Sequence, residues 1–325
     1  MTHPVLSNPL RPAILAAARS SRVRRLVTTA PPTRRLVDRF VAGDSLPAAL
    51  AVAEGLLASG RAVSIDHLGE DTLDPDQARV VVDEYRALLA GLGAVRERAS
   101  TVFGGDPAVE VSVKLTALGL SLGADGPRIA LDRARAICSA ADTAGVWVTV
   151  DAEDHTVTDD TLQIVRELRR DHPWVGAVLQ AYLYRTEQDC RDLAGAGSRV
   201  RLCKGAYDEP AAVAYRDRAD VDESYRRCLR ILVKGDGYPM VASHDPAMIA
   251  LTDALCSEAG RGPDRFEHQM LFGIRDREQL RLAGAGRRMR VYVPYGSQWY
   301  GYLMRRIAER PSNLRFFVRS VLGRD

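Results

Sequence analysis

Two arginines, a cysteine and a lysine cluster in Ser198-Arg199-Val200-Arg201-Leu202-Cys203-Lys204-Gly205-Ala206-Tyr207. The segment reads as a short strand running into a glycine turn. Side chains of a strand alternate between two faces, so Arg199, Arg201 and Cys203 share one and Val200 and Leu202 the other. A cation on an inward face is costly unless a carboxylate or an anionic ligand receives it. Lys204 then sits at the strand's exit, and Gly205 lets the backbone approach another group closely. The chemistry on offer is recognition of an anionic ligand. The competing reading is an edge strand with its arginines in water.

The elements around this segment decide between the two. Residues 10–60 read as largely helical: Leu36 and Phe40 lie one turn apart, and Leu46, Leu50, Ala53 and Leu57 follow at helical spacing before Gly60. From there short apolar runs alternate with helical patterns. The runs are Ala62–Ile65, Val111–Leu115, Val146–Val150, Val175–Tyr182, Val200–Cys203, Met240–Ser243, Phe266–Leu271 and Arg290–Val293. The helical stretches are Pro75–Leu92, Ala130–Ala144, Thr158–His172, Glu187–Ala194, Asp222–Lys234, Pro246–Glu258, Arg275–Ala283 and Gln298–Arg310. Strands alternating with helices predict a parallel sheet, and eight such units suit an α/β chain closed into a (β/α)8 TIM-like barrel. The rival open sheet usually carries G-x-G-x-x-G after its first strand, and none follows Ser64-Ile65-Asp66-His67-Leu68-Gly69. The expected organisation is an N-terminal helical segment over 1–60 packed on a catalytic barrel over 61–325, with a final helix at its mouth.

Barrel chemistry sits at the C-terminal ends of the strands. Those positions hold Asp66 and His67, Lys114, Asp151 and Glu153, Gln180 and Tyr182, Arg201 and Lys204, Ser243 and His244, Gln269, and Tyr292. Nearly every strand thus ends in a polar group, a rim rich in cations and built for an anionic ligand. In the last helix Tyr302, Arg305, Arg306 and Glu309 fall on one face. A pair of arginines there can clamp a carboxylate, since the guanidinium fork matches its geometry. The alternative is a solvated face on a surface helix.

Bulk properties narrow the classes. The net charge of +3 over 325 residues is too small to argue for nucleic acid. Five cysteines without a C-x-x-C pair suit reduced thiols in a cytoplasmic protein better than disulfides or zinc, and no metal site is expected. No apolar run approaches the ~20 residues that cross a bilayer. Residues 1–37 hold seven arginines and no acid, a composition shared by transit peptides, although Pro12–Ala18 also suits a packing helix. The basic, amphipathic stretch 314–322 fits either peripheral contact with a membrane or packing on the barrel. Nothing in the pattern sets an oligomeric state.

Five segments in order resemble the proline dehydrogenase family, of the monofunctional bacterial type. They are Val111–Leu118, Val150–Glu153, Arg201–Tyr207, Phe266–Leu271 and Tyr302–Glu309, and the likeness spans about residues 60–315. The R-L-x-K-G-A-Y segment and the Y-L-x-R-R-x-x-E helix are the specific ones. The resemblance implies a distorted flavin-binding barrel whose last helix lies over the mouth. It implies oxidation of L-proline to Δ1-pyrroline-5-carboxylate, with FAD taking a hydride and a quinone reoxidising it. Position by position, Lys114, Arg305 and Arg306 hold the proline carboxylate, and Tyr292 and Leu271 pack on the ring. Tyr302 matches a tyrosine that selects proline over hydroxyproline. Arg201 stands beside the reactive flavin nitrogen, with Asp151 in the neighbouring charge network. Ala152, Gln180, Cys203, Lys204, Gly205, Ala206, Ser243 and His244 fall with the FAD contacts, and Glu309, placed in the same group, pairs with the cations. Asp208, Cys203 and His268 depart from the residues usual in the family without removing a chemical group. Two other readings stand beside this one: an aldolase-type barrel with a Schiff base on Lys114 or Lys204, and a hydroxyproline-oxidising relative.

Overall fold

The computed structural model describes residues 37–69, 72–99 and 108–309, with side chains in the final helix through Met304. Eight strands follow in chain order: β1 (Ala62–His67), β2 (Val109–Val113), β3 (Trp147–Val150), β4 (Gly176–Gln180), β5 (Arg199–Cys203), β6 (Tyr238–Ala242), β7 (Glu267–Leu271) and β8 (Met289–Tyr295). Each pairs in parallel with the next, and β8 closes on β1 from Ala62↔Arg290 to His67↔Tyr295. That closure rules out the open sheet. The helices are α1 (Leu46–Ala58), α2 (Pro75–Ala99), α3 (Gly126–Ala144), α4 (Thr158–Asp171), α5 (Thr186–Leu193), α6 (Arg218–Lys234), α7 (Pro246–Glu258), α8 (Asp276–Gly284) and α9 (Trp299–Glu309).

Local chemistry moves several boundaries away from those expected. Helix α3 opens at Gly126 because Pro127 fits a first turn, where a missing N–H costs nothing. Helix α6 opens at Arg218, since the Asp217 carboxylate accepts the Ala219 amide at 2.7 Å and caps it. Helix α2 runs past Leu92 to Ala99. Gly91 does not break it: a Cβ there would lie 2.7 Å from Leu50 Cδ1, so this glycine serves the contact with α1.

The strands' two faces differ in kind. Val63, Ile65, Val109, Val111, Val113, Val148, Val150, Val200, Leu202, Val241, Val291 and Val293 are buried in the apolar layer that the helices cover. Parallel strands covered on both faces usually read as unbroken apolar runs. Here the opposite face carries Ser64, Glu110, Ser112, Thr149, Arg199, Arg201, Glu267, Gln269 and Arg290, all buried. Bonds that cross the barrel, such as Arg201 on β5 to Glu110 on β2, show that this face lines the interior. At the rim, α9 packs Trp299, Tyr302, Leu303 and Met304 with Val37, Phe40, Val41 and Leu68 in a separate apolar cluster. Leu68 follows the C-terminal end of β1, which places α9 on the side of the barrel where the strands exit.

Candidate active site

The exits of six strands, β1, β2, β3, β5, β7 and β8, converge on one cluster. The Lys114 ammonium donates to Asp66 Oδ2 at 2.7 Å and to the Tyr292 hydroxyl at 3.4 Å, and lies 3.7 Å from Asp151 Oδ2. Tyr292 in turn donates to Asp151 Oδ2 at 2.7 Å. Arg201 Nη1 donates to Asp151 Oδ1 at 2.7 Å and to Ser112 Oγ at 2.8 Å. Its Nη2 donates to Glu110 Oε1 at 2.7 Å and Ser64 Oγ at 3.2 Å, and its Nε to Gln269 Oε1 at 2.6 Å. Those five bonds occupy all five N–H groups of the guanidinium. The same group lies 5.4 Å from the centre of the Tyr292 ring, within cation–π range.

Burial opposes the charge on Arg201, but Glu110 and Asp151 outweigh it and hold the guanidinium firmly protonated. Burial pushes the Asp151 carboxyl above the ordinary aspartate range, against the opposing pull of Arg201 and Lys114. Burial, with Asp151 and Asp66 beside it, raises Tyr292 far enough to keep it a neutral phenol. One acceptor here is left over: Asp66 Oδ1 is buried with no hydrogen-bond partner among the described residues.

A second ionic layer lies below, toward the N-terminal ends of the strands. Arg199 Nη2 donates to Glu110 Oε2 at 2.8 Å, and its guanidinium stacks 3.9 Å from the Trp147 ring centre. Arg290 Nε donates to Glu267 Oε1 at 2.7 Å and its Nη1 to the Val63 carbonyl at 2.7 Å. Burial pushes Glu110 upward, but Arg290, Arg199 and Arg201 overcome it and hold the carboxyl below the usual range. Glu267 is held low in the same way, burial being overcome mainly by Arg290.

The other predicted site residues surround the cluster without joining it. The Glu153 carboxylate accepts from both the amide and the hydroxyl of Thr116, and its carbonyl accepts from Gln180 Nε2 at 2.7 Å. Lys204 turns away from Arg201 and pairs with Asp222 at the start of α6 and with Asp245, which caps α7, at 2.9 Å to the latter. The Asp245 amide donates to Ser243 Oγ at 3.2 Å. His244 Nε2 accepts the Leu271 amide at 2.9 Å, and Cys203 Sγ donates to the Leu179 carbonyl at 3.5 Å. Leu271 stands in register beside Tyr292 on the neighbouring strand. Gly205, at φ +116°, meets the Tyr182 ring so closely that a Cβ would lie 2.3 Å from it. The close approach read from the sequence is therefore to an aromatic ring of the protein itself. Ala152 and Ala206 flank the exits of β3 and β5, half-buried, and Tyr302 is buried in α9. The side chains of Arg305, Arg306 and Glu309 lie outside the described residues, as do the arginine-rich segment 1–36 and the stretch 314–322.

Sequence reasoning missed Glu110, Ser112, Ser64 and Glu267. The alternation that put Arg199 and Arg201 on one face also aligns Glu110 and Ser112 with Lys114, and that signal was available. Gln180, Lys204, Ser243 and His244 bring hydrogen-bonding groups to three adjacent strand exits, those of β4, β5 and β6, beside Arg201.

The profile of the family described as proline dehydrogenase matches residues 49–319. Proline dehydrogenase 1 of Bacillus subtilis is 39% identical over 290 residues, covering 89% of this chain and 92% of its own length. The proline dehydrogenase of Deinococcus radiodurans is 39% identical over 316 residues, 96% of this chain and 97% of that one. Among solved structures, proline utilization A from Bdellovibrio bacteriovorus, inactivated by N-propargylglycine, superposes with a TM-score of 0.79 at 24% identity. The match covers 93% of this chain and 39% of that longer one, and it supports the fold.

Proposed function

We propose, from the premise that this chain belongs to the proline dehydrogenase family and is an oxidoreductase acting on proline, that it converts L-proline to Δ1-pyrroline-5-carboxylate with FAD and passes the electrons to a quinone. The observation that carries this reading is the convergence of Lys114, Asp151, Arg201 and Tyr292 from four strands, with Leu271 in register beside Tyr292. When bound, FAD supplies the hydride acceptor.

The protein's own residues hold the substrate and set the field. Lys114 receives the carboxylate, aided by Arg305 and Arg306 of α9; fixing the acid end orients the ring carbon that reacts. Asp66 and Asp151 hold the ammonium in place before substrate arrives. Tyr292 and Leu271 pack on the pyrrolidine ring, and the bond from Tyr292 to Asp151 fixes the angle of its ring. Arg201 has no N–H to spare, so it serves as a fixed cation that stabilises growing negative charge rather than as a mobile donor. A direct bond from it to a ligand requires one of its five protein partners to yield. Tyr302 selects proline over hydroxyproline.

Lys114 and Lys204 are both engaged in ion pairs, whereas a Schiff base needs an amine released from such pairs. No helix among the described residues is long and apolar enough to cross a membrane. A peripheral contact through residues 314–322 would serve transfer to a quinone. The five cysteines, none in a disulfide, suit the reducing cytoplasm.

The test is a visible spectrum of the purified protein with FAD, followed by anaerobic L-proline. A flavin band bleached by L-proline, and much less by hydroxyproline, is the expected result. Equal bleaching by both removes Tyr302 as the selector. Absence of any flavin uptake, with borohydride trapping of a carbonyl substrate, overturns the reading in favour of lysine chemistry.

A further inference from the structure

Glu110 lies deep in the barrel, on β2 and fully buried. Its two oxygens are divided between the two arginines of β5. Oε2 accepts from Arg199 Nη2 at 2.8 Å, and Oε1 accepts from Arg201 Nη2 at 2.7 Å. Oε1 also accepts the Ser64 hydroxyl at 2.8 Å, and Ser64 itself lies 3.2 Å from Arg201 Nη2. The carboxylate is therefore shared between the layer that meets the site and the one beneath it. A carboxylate bridging two guanidinium groups resists rotation, because turning it for one partner loses the other.

We propose, on the flavin reading above, that Glu110 is a positioning residue for the redox reaction. From below, it fixes the Arg201 guanidinium and partly neutralises it, so the field that Arg201 presents at the barrel mouth is set by the lower layer. Asp151 holds the upper side of the same guanidinium, and Gln269 its Nε. Charged neighbours of a flavin tune its electronics, and groups behind the contacting residues tune them in turn, as outer partners do at metal sites. Glu110 is such a group.

The test compares two charge changes on opposite sides of this bridge. Glu110→Gln removes a negative charge at nearly constant volume. Arg199→Met removes the positive charge on the far side and leaves Glu110 less neutralised. Reduction adds negative charge to the flavin, so losing a nearby negative charge favours the reduced form. For Glu110→Gln the midpoint potential of bound FAD should rise, by about tenfold in the reduction equilibrium or about 30 mV for a two-electron couple. For Arg199→Met it should fall. Neither residue is placed against substrate, so KM for L-proline should stay within about twofold while kcat follows the potential.

A merely structural role lowers both melting temperatures and leaves both potentials at the wild-type value; that result overturns the proposal, and so does a shift of the same sign in both variants. Where Glu110→Gln does not fold, Arg199→Met decides alone: a lowered potential supports the proposal and an unchanged one rejects it. A wild-type protein that takes up no FAD removes the functional reading and this inference together. A flavin-bound wild type whose variants keep its potential removes the inference only.

Discussion

The two ionic layers inside the barrel use the same kinds of residue, two acids and two bases each, to different ends. Below, Glu110, Arg199, Glu267 and Arg290 form two acid–base pairs, all deeply buried and mutually close. Above, Asp66, Lys114, Asp151 and Arg201 also make two acids and two bases. The lower carboxylates are held below their ordinary range, whereas Asp151 is pushed above it. Burial raises all three, so the difference lies in how much positive charge faces each one. The lower acids are surrounded by arginines, while Asp151 shares Lys114 with Asp66, whose own charge opposes its ionisation. The lower, closed layer fills the interior in place of an apolar core and leaves one donor, Arg199 Nε, without a hydrogen bond among the described residues. The other keeps an acceptor in reserve at Asp66 Oδ1 and lies where the strands exit.

Replacing Glu267 by Ala should break the lower layer most severely. Arg290 would be left buried without its carboxylate, and such a loss costs about 3–5 kcal/mol. Urea unfolding should show that decrease, while KM for L-proline stays within about twofold of wild type. A raised KM without loss of stability would reverse the roles assigned to the layers.

Acidification should separate the layers next. Glu110 and Glu267, held low, contribute stability that is present above the ordinary glutamate pKa of about 4.3 and is lost as pH falls through their lowered values. Asp151 has the opposite sign: its raised carboxyl favours the folded state at low pH, and that contribution is lost as pH rises through its folded pKa. Protonating Asp151 weakens its grip on Arg201 and weakens the bond it accepts from Tyr292. On lowering the pH, kcat/KM should therefore fall before the fold does. Activity and tryptophan fluorescence measured on the same samples check this. Coincident loss of the two would erase the distinction.

The smallest expected effect is the most selective one. Tyr292→Phe deletes one hydroxyl that donates to Asp151. Bonds to charged groups contribute about 1.5–3 kcal/mol. With Lys114 still close to Asp151, the lower end of that range applies, about tenfold in kcat/KM for L-proline. The melting temperature should move little. A large drop in stability with unchanged kcat/KM would make Tyr292 part of the closed layer instead.

Much of this was legible in the residues. Eight alternating units, without a glycine fingerprint after the first strand, indicated a closed barrel, and the strand order bears that out. The strand-exit rule picked out Asp66, Lys114, Asp151, Arg201, Gln269 and Tyr292, which the fold brings into one cluster. The same rule also picked Lys204, and there it could not give the partner. Asp222 and Asp245 draw that ammonium outward, to α6 and the cap of α7. Glu110 and Glu267 escaped notice because attention to strand ends passes over the middle and the start of a strand.

Period-two alternation and the spacing of apolar runs determined the fold class and the face on which each charge stands, because both are local consequences of backbone geometry. Which acid meets which base was decided only when the barrel closed. Arg201 draws its five partners from β1, β2, β7 and the exit of β3, at sequence separations from 50 to 137 residues. Alternation can tell that a side chain points inward. Only the shared interior, and the cost of leaving a charge there unpaired, determines what it finds.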